Sequence, residues 1–233
     1  ANRKVLAKAN KISTLTEGMQ QRLTKYVDIN KIQIVPIWTD NAFLKPISKN
    51  ENVFLNDHQL QDKFVVIYSG NMGKSHPVEI LVQLAKHFRN NPAIAFLLIG
   101  GGDKYKEMEI AIKKEALQNI KIMPWQDASL LPYTLSGADL ALVTVGSEAS
   151  DLSIPSKTYN LMSVGTPILC VAPKGAALAR LVTSEKIGGV FEPNEFESVV
   201  KFIDQALNNK VFLNQFTNNA LKASLIYVPA NAK

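Results

Sequence analysis

The chain has 233 residues, 46% of them hydrophobic and 20% charged, a globular composition that excludes disordered and collagen-like architectures. The length suffices for one large domain or one and a half, and falls short of two full α/β domains. The net charge of +6 invites a nucleic-acid reading until its distribution is considered. Residues 1–45 carry eight basic and three acidic side chains, and the rest is close to neutral. No zinc-finger spacing, arginine-rich arm or stacking motif accompanies the basic stretch, so no nucleic-acid partner is expected.

The opening residues do not form a complete unit. Lys11–Leu15 reads as a strand, Glu17–Tyr26 as a helix and Ile32–Pro36 as a second strand. A strand–helix–strand fragment cannot bury its own faces, so residues 1–45 are expected to be the tail of another domain. Trp38 to Asp62, with Pro46, Ser48, Asn50, Asn52 and Asn56, reads as irregular, and 46–62 is taken as a linker.

From residue 63 the pattern becomes regular. Apolar runs at Phe64–Tyr68, Ile94–Ile99, Ile120–Met123, Leu140–Val145, Pro167–Val171 and Gly189–Phe191 alternate with amphipathic stretches near 77–90, 103–116, 128–136, 155–164, 175–184 and 195–208. A final helix is expected at 210–226. Short continuous apolar strands alternating with helices predict an α/β fold with a doubly wound, Rossmann-like parallel sheet over 63–210, followed by a C-terminal helix and tail at 211–233. Ligands of such sheets bind at the carboxyl ends of the strands.

Four loops at that edge are distinctive. After the first strand, Gly70 and Gly73 flank Asn71, and Lys74 supplies charge; backbone amides there could approach an anion, although a glycine turn with a solvated lysine fits as well. The loop is neither G-x-G-x-x-G nor a P-loop. After the second strand, Gly100-Gly101-Gly102 permits unusual backbone angles, while Asp103 is an ordinary N-cap candidate. The third loop carries Trp125 and Gln126, which could stack on a planar base and bond its rim; Trp125 packed under the loop is the alternative. In the fourth, Pro155, Ser156 and Lys157 open an apolar helix. A lysine in a first turn opposes the helix dipole by a few tenths of a kcal/mol unless an anion arrives, which suits a diphosphate.

Other candidates are discounted. Cys170 lies in an apolar run and reads as a small buried hydrophobe. His58, His76 and His87 have no metal-ligand spacing, so no metal site is expected. No window matches a membrane span or a signal peptide, and a cytoplasmic chain is expected.

Read together, Ser13-Thr-Leu-Thr-Glu-Gly-Met19, Ile34-Val-Pro-Ile-Trp-Thr-Asp40, Tyr68-Ser-Gly-Asn-Met-Gly73, Leu98-Ile-Gly-Gly-Gly101, Ala138-Asp139 and Pro155-Ser-Lys-Thr-Tyr-Asn-Leu-Met-Ser-Val-Gly-Thr-Pro167 resemble the C-terminal half of a retaining GT-B glycosyltransferase of family 4, of the bacterial exopolysaccharide and colanic-acid branch. The resemblance implies a C-terminal Rossmann-like domain that binds a nucleoside-diphosphate sugar as substrate, with no cofactor and no obligatory metal, and an N-terminal domain that carries the sugar or lipid-linked acceptor. It implies Lys157 as the catalytic group and Gly70, Asn71, Gly73, Lys74, Trp125, Gln126, Ser156 and Asn160 as substrate contacts. The sequence departs from the family's pattern at Leu152 and Asn160, where many members carry glutamates, and at Asn71 and His76, where the usual arginine and lysine lie. Diphosphate neutralisation is then expected from Lys157 and Lys74. A nucleotide-sugar epimerase of the same architecture is the alternative. A receiver module is disfavoured, for lack of an acidic cluster with a phospho-acceptor aspartate. The basic opening stretch is expected at an inner-membrane surface, and the chain alone is expected to be inactive.

Overall fold

The computed structural model describes residues 2–74 and 76–232. The chain runs α1 (Asn2–Lys8), β1 (Ile12–Thr14), α2 (Glu17–Leu23), β2 (Ile32–Ile34) and α3 (Val53–His58). It then alternates β3 (Phe64–Asn71), α4 (Glu79–His87), β4 (Ile94–Gly101), α5 (Tyr105–Lys114), β5 (Ile120–Met123), α6 (Leu131–Ser136), β6 (Leu140–Thr144), α7 (Lys157–Val164), β7 (Ile168–Val171), α8 (Ala177–Glu185), β8 (Gly188–Phe191), α9 (Phe196–Asn208) and α10 (Lys210–Ser224).

Six strands form one parallel sheet in the order β5-β4-β3-β6-β7-β8. The expected doubly wound sheet is therefore present. Alternate residues of each strand face opposite sides, which gives two cores. Val65, Ile67, Leu97 and Val143 pack with Leu135, Leu161 and Leu178 on one side. Val66, Tyr68, Phe96 and Leu142 pack with Leu81, Leu84, Met108 and Ile203 on the other. The order reverses between β3 and β6, so the loops leaving those two strands splay apart and leave a crevice at the sheet's carboxyl edge.

Strand β3 is longer than its apolar run. Ser69, Gly70 and Asn71 stay in register with Ile99, Gly100 and Gly101 of β4, because paired glycine backbones let the strands continue where side chains would collide. A Cβ on Gly100 would strike the Gly70 carbonyl, and Gly100 also holds φ of +139°.

The first two strands pair in parallel as a separate two-stranded sheet. Thr16 caps α2 through Met19 N–H, as a serine or threonine before a helix should, and its hydroxyl also reaches the Asp151 carbonyl. That contact seats α2 against the loop after β6.

The segment expected to be irregular is partly ordered by the core. Asn52 caps α3 by accepting from Leu55 N–H, and its amide donates to the Tyr133 carbonyl at 2.8 Å. Phe54, Leu55, Leu44 and Leu60 are buried in the first core. Residues 46–62 thus pack on the domain they precede. Lys49 reaches Asp139 Oδ2 at 2.5 Å, and the same oxygen accepts from Val65 N–H at 2.7 Å. Asp139, one of the residues that carry the resemblance, is therefore a brace between this segment and the start of β3.

Candidate nucleotide-sugar site

The crevice between the β3 and β6 loops opens into two adjoining cavities. The first, of about 490 Å³, is lined by Gly70, Asn71, Trp125, Ser156, Lys157 and Asn160, among others. The second, of about 770 Å³, is lined by Lys74, Gly146, Ser147 and Glu148. His76, Ser153 and Pro155 border both.

Lys157 is the first residue of α7, and Ser156 is the N-cap without a side-chain capping bond. Thr158 N–H donates to the Pro155 carbonyl at 2.9 Å and Tyr159 N–H to the Ser156 carbonyl at 3.1 Å, which leaves the Ser156 and Lys157 amides as the open donors of that turn among the described residues, and the dipole there is positive. The Lys157 ammonium lies 3.7 Å from the centre of the Tyr68 ring, a cation–π contact. Tyr68 is held in place by its hydroxyl, which donates to the Asn71 carbonyl at 2.6 Å. Gly70 makes room: a Cβ there would come within 2.5 Å of Lys157 Nζ, and φ at Gly70 is +150°. Lys157 makes no ion pair or hydrogen bond among the described residues. Burial pushes its ammonium down to about 7 from the ordinary lysine range. A cation set against a positive helix end with no carboxylate beside it is arranged to receive an anion.

The loop after β3 is pinned rather than free. Met72 N–H donates to the Gly101 carbonyl at 2.6 Å, and Lys104 N–H to the Met72 carbonyl at 3.0 Å. Trp125 leans over the same glycine ridge: a Cβ on Gly101 would meet its indole Nε1 at 2.9 Å. Trp125 is 61% exposed, so the alternative in which it packs under its loop does not hold. An exposed indole at a cavity mouth offers a flat apolar face with a polar edge.

Asn160 lies one helical turn beyond Lys157. Its Oδ1 accepts from the Thr39 hydroxyl at 2.6 Å, which commits the oxygen and turns the amide nitrogen to other partners.

Six of the nine residues singled out from sequence thus converge: Gly70, Asn71, Trp125, Ser156, Lys157 and Asn160. Three do not line that cavity. Gly73 sits at the turn against Asn71 and His76. Lys74 is exposed and lines the neighbouring cavity with Glu148, so the expected pairing of Lys74 with Lys157 is absent. Gln126 folds back, its amide donating to the Pro124 carbonyl at 2.8 Å. The sequence reading passed over two residues at this site. Thr39 stands 121 positions from Asn160, and His76, discounted as a metal ligand and noted as standing where the family's lysine lies, was not named as a substrate contact.

Among the described residues, no helix is long and apolar enough to cross a membrane. Cys170 is buried in β7.

The chain matches the family described as glycosyl transferases group 1 over residues 51–223. It is 28% identical over 206 residues to the putative colanic acid biosynthesis glycosyl transferase WcaI of Escherichia coli K12, covering 87% of this chain and 50% of that one. It is 25% identical over 205 residues to the probable glycosyltransferase WbjE of Pseudomonas aeruginosa, covering 86% and 50%. The chain therefore spans about half the length of the curated relatives it matches. Both relatives carry glycosyltransferase names, which does not favour the epimerase alternative. In fold it is similar to Anabaena HepE, solved with UDP and glucose, at a TM-score of 0.80 and 16% identity over 97% of this chain and 62% of that one. It is also similar to WaaG, a glycosyltransferase of lipopolysaccharide biosynthesis, at 0.76 and 16% over 95% and 61%. With a doubly wound GT-B-type sheet and a family match covering most of its length, the chain belongs to the group 1 glycosyl transferases.

Proposed function

We propose that this chain is the donor-binding, C-terminal part of a retaining glycosyltransferase that moves a sugar from a nucleoside-diphosphate sugar to a polysaccharide or lipid-linked acceptor. The observation that carries the reading is the unpaired Lys157 ammonium at the start of α7, at the point where the strand order reverses. Solved neighbours of the same fold hold UDP or UDP-glucose, which supports a nucleotide-sugar donor.

In this reading the diphosphate lies over the first turn of α7, with Lys157, the Ser156 hydroxyl and the Ser156 and Lys157 amides around it. Gly70 and Asn71 form the opposite wall. Trp125 covers the base, and the Asn160 amide nitrogen, freed by Thr39, donates to a ribose oxygen. The sugar extends into the larger cavity, toward Lys74 and Glu148. As the bond from the anomeric carbon to the diphosphate oxygen breaks, its electron pair leaves on that oxygen, and Lys157 stabilises the charge there. Each preorganised donor of this kind contributes about 3 kcal/mol to the transition state. The acceptor hydroxyl closes the new bond on the same face that the diphosphate leaves, and its proton passes to the departing diphosphate oxygen. Residues 1–45 are the tail of the acceptor-binding domain in this reading, and their basic excess faces an anionic membrane surface.

Product analysis tests this on a protein that carries both halves. NMR of the glycoside formed from an α-linked donor should show an α-linkage, and a β-linked product would overturn retention. The present chain alone should give no transfer; turnover by it would overturn the division of labour.

A further inference from the structure

Lys74, the second cation expected for the diphosphate, lies outside the cavity that Lys157 faces, and the basic side chain that takes its place is a histidine. His76 borders both cavities, at the passage from one to the other. Its Nδ1 is buried and makes no hydrogen bond among the described residues. The residue is fixed from behind, because Lys104 Nζ donates to the His76 carbonyl at 2.8 Å while pairing with Glu79 at 2.6 Å. The backbone of Thr144, at the end of β6, bonds the imidazole and favours the protonated ring.

The charged groups around this passage have a definite balance. Lys157 approaches from α7, Lys104 from the start of α5 with its charge answered by Glu79, and Lys74 from the loop that holds His76 itself. Glu148 borders the larger cavity but, among the described residues, forms no ion pair with either His76 or Lys157, and burial raises the Tyr68 hydroxyl well above its usual value. Two basic groups therefore face one cavity without a carboxylate bonded to either. Burial is the first cause, and the nearby Lys157 the second, that hold the imidazole below its usual value. Burial does the same to Lys157, which falls to about 7. Charging both groups while the cavity is empty is disfavoured twice, by desolvation and by mutual repulsion, and a diphosphate removes both penalties.

We propose that His76 and Lys157 act together as a proton-coupled receptor for the donor's diphosphate, taking up protons from solvent as the anion enters. This rests on the donor-binding reading and adds a property to it: the site is switched on by its ligand in the neutral pH range instead of being permanently charged. Until the ligand arrives, the Lys157 nitrogen rests on Tyr68 and the His76 ring on the Thr144 carbonyl. The ligand class is an anion with at least two negative charges set across the passage, which a nucleoside diphosphate satisfies and a nucleoside monophosphate satisfies only in part.

The two groups titrate in different windows, so they can be separated. His76, held below its usual value by burial and by Lys157, contributes at the acid end of the range. Lys157 contributes above it. The experiment is calorimetric titration of this chain with UDP and with GDP, from pH 6.5 to 8.5, in buffers of different ionisation enthalpy. The variants are His76→Gln, His76→Asn and Lys157→Arg, each shown to be folded by circular dichroism. The wild type should take up protons throughout, and each proton taken up makes affinity fall by about tenfold per pH unit over its window. His76→Gln and His76→Asn should lose uptake at the acid end of the range and keep it near pH 8. Lys157→Arg, whose guanidinium stays charged, should still bind but lose uptake near pH 8. Protonation of the nucleotide itself is common to all four proteins and cancels in the comparison. Equal proton uptake in all of them, with UDP or GDP bound, would overturn this inference and leave the donor site standing. Binding of neither nucleotide at any pH would overturn both.

Discussion

The Thr39 hydroxyl donates to Asn160 Oδ1 at 2.6 Å, joining the segment after β2 to the helix that opens on the candidate site. The same segment is tied to the far end of the chain: Thr39 N–H donates to the Tyr227 carbonyl at 3.2 Å, and the Asn41 amide to the Ser224 carbonyl at 3.1 Å. The Tyr227 ring in turn packs on Tyr159, beside Asn160, at 4.9 Å between centroids. One buried hydroxyl thereby sets which end of the Asn160 amide the cavity meets. Thr39→Val should cost about 1 kcal/mol of stability, the usual net value of such a bond. It should also weaken nucleotide binding, and Thr39→Ser should restore both. Urea unfolding alongside a binding titration checks this, and unchanged affinity in the valine variant would remove Asn160 from the ribose contact.

Gly70 lies where a methyl group and the Lys157 ammonium cannot coexist. Gly70→Ala should displace the lysine and strain a left-handed backbone position, at a cost of about 1–3 kcal/mol. The expected result is a folded chain that binds nucleotide at least about tenfold more weakly, as loss of a charged contact implies. Circular dichroism with a binding titration measures both, and unaltered affinity would show that Lys157 need not occupy its present place.

Lys157 also predicts a stability trend with pH. Its pKa is about 7 in the folded chain and about 10.4 when unfolded. Below the lower value the side chain is charged in both states, and the full cost of burying it is present. Between the two the unfolded chain binds more protons, so stability should rise with pH, and the cost is gone above the upper value. Lys157→Met should remove this slope and raise the melting temperature near pH 6.5, where about 1 kcal/mol corresponds to roughly 2–4 °C in a chain of this size. Melting curves from pH 6 to 10 decide, and parallel profiles for the two proteins would contradict the burial of the charge.

Cys170 offers an independent check of the core. It is fully buried in β7, and burial pushes its thiol up to about 12. The thiol should resist a disulfide reagent in the folded chain and react fully on unfolding. Rapid labelling of folded protein would show that β7 opens locally.

Much of the fold was legible because both faces of the sheet are covered, so each strand is an uninterrupted apolar run. What the runs concealed was their continuation. Ser69 to Asn71 belong to β3 by backbone pairing with Ile99 to Gly101, which an apolar count does not register. Helix α3 was missed because its six residues form a single short turn region whose order comes from Asn52 and from burial of Phe54 and Leu55. At the site, residues anchored on strand ends and helix starts were placed correctly by sequence position, as with Gly70 and Lys157. Residues on free loops were not: Gln126 satisfies its amide on its own backbone, and Lys74 turns to the neighbouring cavity. Direction in a loop depends on contacts far away in sequence, and the bond from Thr39 to Asn160 is of the same kind.

The central claim is that the unpaired Lys157 at the start of α7 receives the diphosphate of a nucleotide-sugar. The direct measurement is calorimetric titration of this chain with UDP and with GDP, compared with Lys157→Ala at pH 7. The account predicts saturable binding of at least one of the two, weakened about tenfold or more by the substitution. Equal affinity in the wild type and the variant, or no binding of either nucleotide, would contradict it.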